Sequence, residues 1–365
     1  MKRIIFLTGT RADFGKMRSL IDICENNKDM DVHVYCTGMH LVEKYGYTIN
    51  EIRNRGYRNI TTHKNESPSM DGALASTIQG FSDCTREVQP DLIVVHGDRV
   101  EALAGAAVGA LNNIPVAHIE GGEVSGAVDE SIRHAVSKLS HLHFVTNSAA
   151  RRRLEQLGEN PENIFVIGSP DVDAIMGPLP DISEVRARYD IGYCEYAVVL
   201  LHPVTTDIEE TRRSAINVVN AAKRSGDNFV VIYPNNDYGT EIIQESYKPL
   251  REMSNFKIIP SMRFECFLSL LKHAQYMLGN SSSALMEAPN FGVPAVNIGT
   301  RQNGRMAPSC VFHCDSGGIA DAIKKAKQYD RLPFFYYGYG GTAEKFFNII
   351  KGLKVEQQKV FFDHD

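Results

Sequence analysis

Residues 90–122 read PDLIVVHGDRVEALAGAAVGALNNIPVAHIEGG. Two short apolar runs, Leu92–His96 and Val116–Ile119, flank a helix-period segment, Val100–Leu111, that is rich in Ala and Gly. An unbroken apolar run of this length suits a strand covered on both faces, and small residues let the intervening helix lie close to the sheet. Strand, helix and strand in this order form a parallel crossover unit. Working outward, the same alternation predicts strands at Ile4–Leu7, Val32–Cys36, His143–Val145 and Ile164–Ile167, with a further helix at Ile132–Leu139. It resumes with strands at Ala197–Leu201, Phe229–Tyr233, Lys257–Ile259, Tyr276–Leu278 and Ala295–Ile298, and with helices at Arg212–Lys223 and Phe264–His273. Between the two halves the pattern lapses at Pro170–Pro180, which reads as a linker. The expected fold is therefore α/β, with two doubly wound domains over residues 1–172 and 173–365.

The chain has 365 residues, more than one domain usually holds, and its 43% hydrophobic and 23% charged residues suit a soluble globular protein. A formal charge of -5 with no long basic run argues against nucleic acid as a partner. No apolar window is long enough to span a membrane, and Met1-Lys2-Arg3 leads directly into a strand without a signal-peptide pattern, so the expected location is cytoplasmic. Seven scattered cysteines do not form a disulfide framework. The one close group, Cys310, His313 and Cys314, lacks a second ligand cluster, so no metal is expected.

Ligands of open parallel sheets bind beyond the carboxyl ends of the strands. After the first strand comes Thr8-Gly9-Thr10-Arg11-Ala12-Asp13-Phe14-Gly15-Lys16, where Arg11 and Lys16 can face an anion at a helix start. An ordinary strand–helix turn explains the same residues. His96-Gly97-Asp98-Arg99 and His118-Ile119-Glu120-Gly121-Gly122-Glu123 follow two strands consecutive in sequence. If those strands are neighbours they lie about 5 Å apart and Asp98 and Glu120 share one rim, to which Asp129 can return. Three carboxylates in one pocket would repel, which predicts that at least one has a raised pKa. Asp98 and Asp129 also suit helix N-caps, whereas Glu is a poor one. His118 either orients Glu120 or shuttles a proton, or else is a satisfied interior histidine. In the second half, Gly279-Asn280-Ser281-Ser282 followed by Glu287, and the strand ends at His202 and Asn235, offer hydroxyls, imidazole and amide groups to a ligand. Ser281 and Ser282 can equally be helix caps. The polar stretch Thr61–Asp71 reads as a mobile loop, and Asp171-Val172-Asp173 as solvated turn carboxylates in the linker.

Taken together, Thr8–Lys16, PDLIVVHGDRVE at 90–101, HIEGGEVSGAVDESIRHAVSKL at 118–139, HPVTTD at 202–207, YPNND at 233–237, Gly279–Glu287 and GTRQNGR at 299–305 resemble the UDP-N-acetylglucosamine 2-epimerase family, in particular its hydrolysing branch. The resemblance implies a GT-B-like pair of Rossmann-like domains with the nucleotide sugar in the cleft between them, and a last helix that can return to the first domain. It implies that His202, Asn235, Ser281, Ser282, Glu287 and Arg301 hold UDP, that Arg11 and Arg99 lie near its phosphates, and that Asp98, Glu120 and Asp129 surround the sugar. Lys16 matches the family's basic residue after the first turn. The implied reaction forms N-acetylmannosamine and UDP for sialic acid synthesis, without cofactor or metal, in a homodimer or homotetramer. UDP-diacetylbacillosamine is an alternative substrate. The non-hydrolysing epimerase, a GT-B glycosyltransferase and a silent UDP-sugar sensor are alternative readings of the same segments.

Overall fold

A computed structural model describes residues 1–65, 67, 69–125, 128–235, 237–352 and 358–363. The chain divides into two compact units, one of residues 1–123, 129–176 and 337–365, the other of residues 124–128 and 177–336.

In the first unit the strands are β1 (Lys2–Thr8), β2 (Met30–Cys36), β3 (Asn59–Thr62), β4 (Leu92–His96), β5 (Val116–Ile119), β6 (Leu142–Val145) and β7 (Ile164–Val166). They form one parallel sheet in the order β3-β2-β1-β4-β5-β6-β7. The order reverses between β1 and β4, which makes their carboxyl ends the natural ligand crevice. β4 and β5 are direct neighbours, with His96 opposite Ile119, so the residues after each share a rim as expected. The helix Val100–Leu111 has the bounds its Ala/Gly pattern predicts, and its packed face is buried.

β3 escaped the periodicity reading because it is an edge strand with one apolar residue, Ile60, and half its length is exposed. The presumed linker is also different. Pro170–Met176 is a helix, and proline is well suited to a first helical position because it has no N–H to leave unpaired. Asp171 is buried, and Asp173 accepts the backbone N–H groups of Thr342 at 2.9 Å and Ala343 at 2.7 Å. Neither is a solvated turn carboxylate. Asp173 thereby caps the helix Thr342–Gly352, whose Phe346 packs 4.8 Å from Phe144 and 6.3 Å from Phe6 between ring centroids. The Thr61–Asp71 stretch is likewise tied down in its described part. Asn65 donates to Ala73 O at 2.8 Å, and Ser69 Oγ caps the helix Met70–Val88; Glu66 and Pro68 lie outside the described residues.

Lys359 secures the chain's last described segment. Its Nζ lies 2.5 Å from Glu159 Oε2 and donates to the carbonyls of Ser137, Lys138 and Ser140. Glu159 is buried and accepts from His143 Nε2 at 2.9 Å. Burial alone would raise the Glu159 carboxyl, but His143 and Lys359 hold it down at about 2. A depressed carboxyl stabilises the fold fully above its unfolded value, and this contribution is lost as pH falls toward the folded one. Lys359→Met is expected to cost about 2–4 kcal/mol at pH 7 by leaving part of a buried charge pair unmatched. The loss relative to the parent should shrink between about pH 4.5 and pH 2. Melting curves over that range check it; a pH-independent difference would mean that packing, not charge, holds the tail.

The second unit contains β8 (Ala197–Leu200), β9 (Phe229–Ile232), β10 (Phe256–Ile259), β11 (Met277–Gly279), β12 (Ala295–Ile298) and β13 (Val311–Cys314), all parallel in the order β10-β9-β8-β11-β12-β13. The reversal falls between β8 and β11. β13 is again an edge strand, only partly buried. Among the described residues no helix is long and apolar enough to cross a membrane.

Candidate functional site

In the first unit Glu120 follows β5 directly and its backbone sits in the left-handed region, φ +65°. A non-glycine residue held there costs of order 1–3 kcal/mol and needs surroundings that impose it. Those surroundings are visible: the Glu120 N–H donates to Phe144 O at 2.9 Å, and the carboxylate is gripped from three sides. Ser169 donates to Oε1, while His96 Nε2 at 3.2 Å and Lys16 Nζ at 3.8 Å face Oε2. Burial disfavours its charge, but Lys16, His96 and Ser169 outweigh it and hold the carboxyl well below the usual range. Lys16 also lies 2.5 Å from Asp171 Oδ2.

Asp98 has its own cation, the buried guanidinium of Arg133, which also donates to Glu123 O at 3.0 Å. Burial works against the Arg133 charge, and Asp98, with Asp129 and Glu123 behind it, more than restores it. Asp129 stands in the first turn of the helix Val128–Leu139, one turn before Arg133; Gly126 and Ala127 lie outside the described residues. Asp98 is not an N-cap, since that position at Val100–Leu111 is Arg99. The expected repulsion does not govern Glu120, whose charge Lys16, His96 and Ser169 favour. The Asp13 carboxyl is raised, to about 6, by complete burial, which outweighs the hydrogen bonds it accepts from Thr8 and Gly9.

His118 is fully buried, and burial pushes it down to about 3, so the ring is neutral. Its Nε2–H donates to Gly97 O at 2.8 Å, and Nδ1 accepts from Ser137 Oγ at 3.0 Å. Both ring nitrogens are thus partnered, as in the satisfied interior histidine, and the ring supports the turn that carries Asp98. Arg11 opens the helix Arg11–Glu25 and pairs with Glu51; Arg99 Nε lies 3.2 Å from Glu101 Oε2.

In the second unit the Asn280 side chain extends the sheet past the ends of β8 and β11. Its Oδ1 accepts the His202 N–H at 2.7 Å, and its Nδ2 donates to His202 O at 2.9 Å. The Asn280 carbonyl accepts from Gln302 Nε2 at 2.8 Å and Arg301 Nη1 at 3.4 Å. The Asn235 N–H points to His202 Nδ1 at 3.4 Å, so the neutral ring carries its proton on Nε2 as a donor. Asn236 lies outside the described residues. Ser281 Oγ accepts the Ser283 N–H at 3.3 Å, whereas Ser282 makes no side-chain capping bond. The helix they start is a single turn, Ser283–Met286, continued as a 3-10 turn at Ala288–Phe291 that contains Pro289. Glu287, between the two, is buried. Arg305 Nε donates to Val124 O at 2.8 Å. Among the described residues no group of three or more His, Cys, Asp or Glu is placed to hold a metal ion.

The first unit thus presents an ionised carboxylate beside an ammonium and an imidazole, a set able to move protons. The second presents hydroxyl, imidazole and guanidinium donors suited to an anion. Reading by motif missed His96, Arg133, Ser169, Asp171 and Asn280 as site residues. The strand-end rule had the signal for all but Arg133, since His96 ends β4, Ser169 and Asp171 follow β7, and Asn280 follows β11.

Residues 22–351 match the family of UDP-N-acetylglucosamine 2-epimerases. The chain belongs to that family. It is 43% identical to a UDP-N-acetylglucosamine 2-epimerase of Neisseria meningitidis serogroup B, over 100% of this chain and 99% of the relative. It is 34% identical to a UDP-N,N'-diacetylbacillosamine 2-epimerase (hydrolyzing) of Legionella pneumophila, over 98% of each. The crystal structure of Methanocaldococcus jannaschii UDP-GlcNAc 2-epimerase in complex with UDP-GlcNAc and UDP superposes with a TM-score of 0.83, covering 96% of this chain and 99% of that one at 21% identity. That likeness establishes the fold class, two parallel-sheet α/β units of the GT-B-like type. Of the segments that carry the family resemblance, Thr8–Lys16, 90–101, 202–207 and Gly279–Glu287 lie at the strands flanking the two sheet reversals, and the others follow β5, β9 and β12.

Proposed function

We propose that this epimerase-family chain is the hydrolysing enzyme, converting UDP-N-acetylglucosamine and water into N-acetylmannosamine and UDP, with the product serving sialic acid synthesis. The observation that carries the reading is Glu120, a carboxylate kept ionised in a strained backbone beside Lys16 and His96. C2 of the sugar has no adjacent carbonyl to acidify its proton, so inversion by simple deprotonation would be very slow. Elimination avoids the difficulty. A carboxylate takes the C2 proton, the C–H electron pair becomes the C1=C2 bond, and the C1–O bond to UDP breaks with its electrons on the leaving phosphate. Water then adds to C1 of the 2-acetamidoglucal while C2 is reprotonated on the opposite face.

His202, Asn235, Ser281, Ser282, Glu287 and Arg301 hold the UDP; Arg11 and Arg99 stabilise the charge of the departing diphosphate. Asp98, Glu120 and Asp129 share the proton transfers, with Glu120 as the base. The 43% identity to a relative named for UDP-N-acetylglucosamine supports the substrate, and the word hydrolyzing in the Legionella relative's name supports the branch. That relative also favours UDP-diacetylbacillosamine as the second substrate to try.

Proton NMR of the enzyme with UDP-N-acetylglucosamine in deuterated water tests the reading. The expected result is free N-acetylmannosamine deuterated at C2, with one UDP released per sugar. UDP-N-acetylmannosamine as the product would identify the non-hydrolysing reaction. Product from the diacetylbacillosamine nucleotide alone would move the substrate, and turnover only with an added acceptor would mark a glycosyltransferase.

A further inference from the structure

We infer that Asp171 is a positioning residue for the proton-transfer site, fixing both the place and the charge of Lys16; this rests on the proposed function. A lysine is a point charge on a flexible four-carbon stem, and holding it still costs about 2 kcal/mol of rotamer freedom unless an anchor defines it. Here the ammonium lies 2.5 Å from Asp171 Oδ2 and 3.8 Å from Glu120 Oε2, so the shorter contact defines its position and the longer one is its service to Glu120. Asp171 is 2% exposed and Lys16 has a side-chain exposure of 12%, so water screens neither well. The same turn does two jobs: Ser169 Oγ donates to Glu120 Oε1 and also receives the Asp171 N–H at 3.3 Å. The Ser169–Asp171 segment therefore holds one carboxylate oxygen directly and the cation facing the other.

The titratable groups around the pair include, among the described residues, Glu120 after β5, His96 at the end of β4, and Asp13 on the helix of Lys16, with Glu101 beside Asp13. Removing the Asp171 charge takes from Lys16 the closer of the Asp171 and Glu120 carboxylates. The ammonium then loses its nearest anion, which lowers its pKa, and it is released to close on Glu120, which makes that carboxylate a weaker base. With Asp171 in place, the cation helps keep Glu120 ionised but stays 3.8 Å away instead of closing on it.

The test is Asp171→Asn, with Asp171→Glu as the variant that keeps the charge and Asp171→Ser should the amide fail to fold. The first readout is the Lys16 ammonium signal in a lysine-labelled, substrate-free enzyme, assigned by its loss in Lys16→Met. Its titration is expected to move down by roughly one to three pH units in Asp171→Asn, the effect of losing one close opposite charge, and to return in Asp171→Glu. The second readout is kinetic: kcat should fall at least about 10-fold, the alkaline limb of kcat/KM should move down with Lys16, and UDP inhibition should be unchanged. Unchanged Lys16 titration, or a kcat loss that merely follows a fall in melting temperature with no shift of the limb, would overturn the assignment. The titration uses no substrate, so it still decides the Asp171–Lys16 pairing if the parent enzyme shows no turnover, an outcome that would sink the proposed function instead.

Discussion

Glu120→Gln should lower kcat about 1,000-fold while leaving the inhibition constant for UDP within about twofold of the parent value. General-base contributions of 100- to 10,000-fold set the size. The amide keeps the shape of the side chain and can still meet Ser169, but it cannot take a proton. The UDP groups proposed here, among them His202, Ser281 and Arg301, belong to the other sheet and should not register the change. Lys16 retains Asp171 at 2.5 Å, so the substitution leaves no stranded cation to unfold the rim. Because Glu120 is held below the ordinary carboxylate range, its ionised form stabilises the native state above the unfolded pKa, and that gain is lost as pH falls toward the folded value. Glu120→Gln should therefore flatten the acid side of the stability profile as well as slow turnover. Steady-state kinetics, UDP inhibition and melting from pH 7 to pH 3 check the three parts. Equal losses in kcat and UDP affinity would remove Glu120 from the base role.

Legibility differed between elements for physical reasons. β4, β5, β12 and the helix Val100–Leu111 have the bounds their sequences predict, because interior strands are mostly apolar and a close-packed helix must be small on its sheet face. Asn59–Thr62 and Val311–Cys314, each paired on one side only, have no such requirement and carry polar residues. Pro170 misled the reading in another way, since proline breaks a helix inside it but suits its first position. That error placed Asp171 in solvent. The charge balance was also out of reach: the cation of Asp98 comes from 35 positions along the chain, and the Ser169 that grips Glu120 from 49. A motif shows which groups line up after one strand. Only the sheet order shows which strands stand side by side, and a carboxylate's pKa depends on the latter.

Gly279→Ala should be the most damaging small substitution in the second unit, costing about 4 kcal/mol and abolishing UDP binding. Gly279 ends β11 with φ +147°, and an added Cβ would lie 2.0 Å from Leu200 O and 2.6 Å from Leu200 C. Both are main-chain atoms of β8, held in register with β11, so no side chain can turn aside to make room. Relief requires the two strands to part at the sheet reversal, where Asn280 links to His202 by two hydrogen bonds. Parting them withdraws His202, Ser281 and Arg301 together, which is why stability and ligand binding should fall as one. Gly226→Ala separates backbone strain from collision. Gly226 also has positive φ, +73°, but its Cβ would meet nothing within 4 Å, and its expected cost is only about 1 kcal/mol with UDP binding retained. Melting and calorimetric UDP titration of both variants decide the matter. Equal losses in the two would show that left-handed backbone alone explains Gly279, whereas a Gly279→Ala protein that binds UDP normally would mean that the β8–β11 junction is not where the diphosphate is held.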